Sequence, residues 1–184
     1  MSTTRRRPSR DTAAAVRYRI AVDNPHSHLF SVTLTVERPA ARQRFALPVW
    51  IPGSYLVREF SQHLQGLDAR QGGQAVALKQ LDKHRWQADN AAGQPLELRY
   101  QVYAFDASVR TAFLDATRGF FNATCLCLMV AGREDESHAI EIQPGDAPAG
   151  WQVATGLSPV KTDGQGFGHY LALNYDELAD CPVE

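Results

Sequence analysis

HLFSVTLTVE, His28 to Glu37, decides the fold: Phe30, Val32, Leu34 and Val36 fall on one side, and Ser31, Thr33 and Thr35 on the other. Successive side chains of a strand point to opposite faces, so this period of two predicts a strand with one face buried. LELRYQVYA, Leu96 to Ala104, repeats the pattern, with Leu96, Leu98, Tyr100 and Val102 against Glu97, Arg99 and Gln101. Shorter runs follow the same rule: Tyr18, Ile20 and Val22; Phe45, Leu47 and Val49; Ile140 and Ile142; and, less cleanly, Tyr170 with Leu171 to Leu173. FFNATCLCLMV, Phe120 to Val130, is nearly apolar throughout and reads as a strand covered on both faces, with Cys125 and Cys127 as same-face neighbours.

Turn signals separate these runs at short intervals: Asn24-Pro25, Pro52-Gly53, Gly72-Gly73, Asn90 to Gly93, Pro144-Gly145 and Asp163-Gly164. Short strands punctuated this often predict an all-β, antiparallel β-sandwich-like domain. One helix is expected near the end, in NYDELADC, Asn174 to Cys181. Asn174 caps it, Asp176 and Glu177 favour its first turn, and Pro182 stops it. The expected organisation is a disordered basic arm over 1–15, a sandwich over 16–173, and a linker over 174–184.

The chain has 184 residues, 44% of them hydrophobic, a formal net charge of -1 and three cysteines. That is enough for one sizeable core, and the near-neutral charge argues against nucleic acid as a partner. The head carries Arg5, Arg6, Arg7, Arg10 and Arg17, and its arginine cluster Arg5 to Arg7 is followed by no apolar run longer than Ala13 to Val16, too short for an export signal. No stretch approaches the ~18 apolar residues of a membrane span. Three cysteines make no disulfide framework, so free thiols in a cytoplasmic protein are expected.

Hydrolytic chemistry needs a metal, an activated nucleophile or a carboxylate pair. None of the six histidines is followed by Glu, so no H-E-x-x-H zinc helix is present. His26 and His28 form an H-x-H pair beside a turn but lack a third ligand, and no metal is expected in this chain. Ser54, in PGSY, lacks the surroundings of a nucleophile elbow. What remains is a polar set in apolar company: Tyr55, Arg58 and Glu59 in PVWIPGSYLVREF, Pro48 to Phe60, and Arg110, Arg118 and Asn122 around RTAFLDATRGFFN. On spacing alone these are surface pairs or the rim of a cleft.

PVWIPGSYLVREFSQHL, followed by RTAFLDATRGFFNATCLCLMV and closing with YDELADCPVE, resembles the N-terminal domain of the glycyl aminopeptidase family of zinc metallopeptidases, peptidase family sixty-one. Trp50, Pro52, Gly53, Ser54, Tyr55, Arg58 and Glu59 carry the specific part of that likeness. The resemblance implies a β-rich domain ahead of a thermolysin-like catalytic domain that removes N-terminal Gly or Ala from peptides. It also implies that the zinc ligands and the general base lie beyond Glu184, so no catalytic residue is expected here. Tyr55, Arg58, Glu59, Arg110 and Asn122 become candidates for contact with that catalytic domain or with the rim of the peptide site. The alternative from a different class is a stand-alone binding module for carbohydrate or peptide, with Trp50, Tyr55, Trp86 and Trp151 as an aromatic platform.

Overall fold

A computed structural model describes residues 14–51, 53–54 and 56–184. The basic head up to residue 13, Pro52 and Tyr55 lie outside the described residues. In chain order the elements are β1 (Val16–Asn24), β2 (Leu29–Val36), β3 (Arg42–Ala46), a 3-10 turn (Phe60–His63), β4 (Leu64–Gln71), β5 (Gln74–Ala75), β6 (Leu78–Gln80), β7 (Arg85–Asp89) and β8 (Leu96–Tyr103). They continue with β9 (Ala112–Leu114), β10 (Gly119–Phe121), α1 (Ala123–Leu126), β11 (Met129–Val130), β12 (His138–Gln143), β13 (Ser158–Thr162), β14 (Gly168–Ala172) and α2 (Tyr175–Asp180).

An eight-stranded sheet runs in the order β13-β14-β12-β1-β2-β8-β4-β5, and a four-stranded sheet, β11-β3-β7-β6, shares its core. The alternation read from the sequence is the alternation of burial: β2 and β8 send Phe30, Val32, Leu34, Val36, Leu96, Leu98, Tyr100 and Val102 inward. β1 adds Val16, Tyr18, Ile20 and Val22, and the smaller sheet faces them with Phe45, Trp86 and Ala88. Each of the larger side chains contributes about 1.5–3 kcal/mol by leaving water. The result is a sandwich-like β fold with two short helices.

The pairing is mixed where the sequence suggested antiparallel strands throughout. β1 lies antiparallel to β2 but parallel to β12, with Tyr18 opposite Ile140 and Ile20 opposite Ile142. Residues so far apart in sequence close that pair through most of the fold, and alternation, which is blind to strand direction, holds no trace of it. The outward face is polar, carrying Arg17–Glu37 at 2.5 Å, Arg19–Glu141 at 2.9 Å and Arg99–Glu97 at 2.6 Å. The free edge at β13 exposes all five residues and contains Pro159 and Lys161, which deter pairing with another chain.

The segment expected as one doubly covered strand, Phe120 to Val130, is instead three pieces: the end of β10, the single turn of α1, and β11. Three tyrosines hold it in that shape. Tyr100 donates to the Leu126 carbonyl at 2.6 Å, Tyr175 to Cys127 at 2.7 Å, and Tyr18 to Leu128 at 2.7 Å. Buried carbonyls left by the helix end must be paired, and consecutive hydroxyls from two strands and α2 pair them. Cys125 therefore sits in α1 and Cys127 just past its end, not on one strand face, and both are free thiols. Burial pushes the Cys125 thiol up to about 12 and the Cys127 thiol higher still.

α2 forms where the sequence placed a helix, with Asn174 Oδ1 accepting from the Glu177 amide at 2.8 Å. The residues after it are tied to the body. Val183 bridges to both Phe121 and Thr155, and the Glu184 amide donates to the Ala154 carbonyl at 2.9 Å.

Candidate functional site

The corner Pro48 to Phe60 follows β3 and turns on Gly53, whose φ of +76° favours glycine, with the Ser54 amide donating to Ile51 at 3.1 Å. Phe60, only 3% exposed, anchors the far end of the corner in the core. Between these fixed points Trp50, Leu56 and Val57 are 55%, 64% and 76% exposed. They line, with Gly53 and Ser54, an open hollow of about 360 Å³. Large apolar side chains held outward by a well-anchored turn are the mark of a binding surface rather than of a core.

Arg58 and Glu59 part company at this corner. Glu59 meets Lys83 at 2.6 Å in an exposed pair. Arg58 is half-buried, and its Nε is enclosed without a hydrogen-bond acceptor among the described residues. An ion pair between the two neighbours does not fix the turn; the backbone bonds do.

The second segment comes to the same place. The 3-10 turn after the corner packs on α1, and the Cys125 thiol lies within the fields of both Arg58 and Asp106. Its loop is internally braced: Asp106 accepts from the Ser108 amide at 2.9 Å, and the Thr111 hydroxyl donates to the Asp106 and Ser108 carbonyls at 3.0 Å each. Asn122, 8% exposed, straps that loop to α1, its Nδ2 donating to Val109 at 2.9 Å and Thr111 at 3.2 Å. Arg110 projects into solvent, and its carbonyl accepts from the Cys125 thiol at 3.8 Å. The structure thus gathers Arg58, Arg110 and Asn122, turns Glu59 toward Lys83, and leaves Tyr55 outside the described residues.

Sequence reasoning missed the aromatic ladder beside this loop. Phe105 stacks on His28 at 3.9 Å and on Phe113 at 5.4 Å, and Arg118 lies 5.9 Å from the Phe113 and Phe120 rings. Tyr103 meets His28 edge-on at 5.8 Å and His63 at 6.3 Å. Tyr103, Phe105 and Val109 are 41%, 52% and 73% exposed. The aromatic platform of the alternative reading is not formed among the described residues: Trp86 is 7% exposed in the core, and Trp151 is half-buried over Gly119, 3.1 Å from where a Cβ would stand.

The face offers apolar area, aromatic edges and two arginines, a composition suited to binding. Among the described residues no group of three or more His, Cys, Asp and Glu could hold a metal ion. His28, half of the H-x-H pair, has its Nδ1 2.6 Å from the Leu114 carbonyl and its ring against Phe105, so it is occupied by structure.

The comparisons with known proteins agree with this architecture. The structure resembles an aminopeptidase N family protein from Idiomarina loihiensis, with 42% identity and a TM-score of 0.88 over 91% of this chain and 28% of that one. It also resembles the M1 zinc metallopeptidase from Deinococcus radiodurans, at 14% identity and a TM-score of 0.52 over 91% of this chain and 40% of the other, a likeness of fold. No curated protein matches. The chain therefore spans less than a third of the length of its Idiomarina relative. Residues 17–184 match the family described as the Peptidase M61 N-terminal domain, and the chain belongs to that family.

Proposed function

We propose that this chain is the non-catalytic N-terminal domain of a glycyl aminopeptidase-like zinc metallopeptidase. It supports a thermolysin-like domain and shapes the entrance through which peptides with N-terminal Gly or Ala reach it. The observation that carries the reading is the exposed apolar surface of the corner, Trp50, Leu56 and Val57, with Phe105 and Val109 exposed on the loop, on a domain that covers 28% of its Idiomarina relative. Such a face buries its exposed rings and aliphatic groups when a partner domain covers it, which is the largest favourable term in association. Asn122 and the Asp106 braces hold the loop in register for that contact, while Arg58 and Arg110 supply its polar groups. The zinc ligands and general base belong to the partner domain. A cytoplasmic setting is supported by Cys125, Cys127 and Cys181, all free.

An aminopeptidase assay with glycine and alanine p-nitroanilides and added zinc tests this. The 184-residue chain turns over neither substrate, and a protein continuing into the thermolysin-like domain turns over both. Hydrolysis by the chain alone overturns the reading.

A further inference from the structure

His28, in the turn between β1 and β2, stands in an uncommon backbone conformation. Its φ of +59° lies in the left-handed region, where a residue other than glycine persists only when its surroundings hold it. Neighbouring segments do so. The His28 carbonyl accepts from the Ala104 amide at 2.8 Å, just past β8. Its Nδ1 lies 2.6 Å from the Leu114 carbonyl, and since a carbonyl only accepts, Nδ1 carries the proton and donates it. The turn that follows Leu114 is closed by Asp115 Oδ1, which accepts from the Thr117 and Arg118 amides at 2.7 Å and 3.0 Å. One side chain therefore ties the β1–β2 turn, the end of β8 and the β9–β10 turn together.

The face of the same ring is given to an exposed neighbour. Phe105, 52% exposed, lies with its centroid 3.9 Å from that of His28 and its plane 29° away, and Phe113 stacks on it at 5.4 Å. An exposed aromatic side chain on a loop ordinarily samples several rotamers, and a partner that covers it must remove that freedom. Here the rings of His28 and Phe113 have already removed it. We infer that His28 is the positioning residue of the partner-facing loop: its ring presets Phe105 in the orientation in which the catalytic domain covers it. The inference deepens the proposed function and rests on that reading.

His28→Asn is the discriminating variant, because asparagine accepts a positive φ and can donate to the Leu114 carbonyl but has no ring. In the 184-residue chain it is expected to keep a urea midpoint close to that of the wild type, while the Phe105 ring protons lose the upfield shift that a stacked ring imposes. Amide exchange at residues 103–111 is then compared between this chain and a protein continuing into the thermolysin-like domain. The extra protection in the longer protein is expected to fall about two- to tenfold in His28→Asn, the effect of one side chain left to be ordered on contact. Phe105→Leu, which keeps an apolar side chain without the ring, is expected to show the same fall. The double variant is expected to show no further fall, because the two residues act as one unit. Extra protection that survives His28→Asn, or losses that add in the double variant, overturn the inference and leave the proposed function standing. A longer wild type with no extra protection at these residues overturns both. If His28→Asn does not fold, Phe105→Leu decides, and undiminished protection there overturns the inference.

Discussion

The Tyr100 hydroxyl donates to the Leu126 carbonyl at 2.6 Å and in turn accepts from the Leu128 amide at 3.2 Å. One side chain of β8 thereby satisfies two backbone groups, one at the last residue of α1 and one just beyond it. That segment carries the floor beneath the candidate face, since α1 bears Cys125 and packs on the turn after the corner.

Tyr100→Phe leaves a buried carbonyl and a buried amide without partners at little change in volume. The expected cost is about 1–3 kcal/mol, read as a lower midpoint in urea unfolding. Tyr175→Phe, which frees only the Cys127 carbonyl, is expected to cost less than Tyr100→Phe.

His138 is fully buried, stacked on Tyr18 at 6.0 Å and edge-on to Tyr175 at 5.8 Å. Burial holds its pKa below the ordinary 6.5, although the Glu136 carbonyl and the charges of Glu136 and Glu134 oppose the shift. The unfolded chain therefore binds a proton that the folded one refuses. Stability on this account is complete above the ordinary value and is lost as pH falls through it toward the folded value. Urea midpoints measured from neutral pH to about pH 5 are expected to fall in the wild type and to fall less steeply in His138→Phe.

The three thiols are expected to separate by burial in a labelling experiment. Cys181 is half-exposed, whereas Cys125 and Cys127 are buried and raised by desolvation. An aromatic disulfide reagent at neutral pH is expected to label Cys181 in the native protein, and all three only in denaturant.

Gly145 sits at φ +54° with the Val22 backbone against it, and a Cβ there would run into the Val22 carbonyl oxygen, the group that accepts from the Asp146 amide at 2.9 Å. Gly145→Ala is expected to destabilise by more than about 1 kcal/mol, read by the same unfolding midpoint.

Strands with one wet face were legible because burial prints itself as alternation, as in β2 and β8. The segment Phe120 to Val130 was not, because a stretch buried on all sides has no period to read. β4 escaped for the opposite reason: a bulge between Gln65 and Asp68, with Gly66 at φ +66°, breaks its alternation. At the candidate face the sequence marked the corner's residues as a group but held no sign of the separate paths of Arg58 and Glu59, which depend on Lys83 in the connection ahead of β7. The ladder of His28, Phe105 and Phe113 comes from three separate segments. Its one signal in the sequence was that Tyr103 and Phe105 continue the outward side of β8 with aromatics where Glu97, Arg99 and Gln101 stand earlier.

The central claim is that the corner and the Phe105 to Arg110 loop form the surface that a catalytic domain covers. Amide hydrogen exchange, compared between this chain and a protein continuing into the thermolysin-like domain, measures it directly. The account predicts slower exchange in the longer protein at residues 49–59 and 103–111, with the β13 edge unchanged. Equal exchange at both segments, with protection appearing elsewhere on the sandwich, would contradict it.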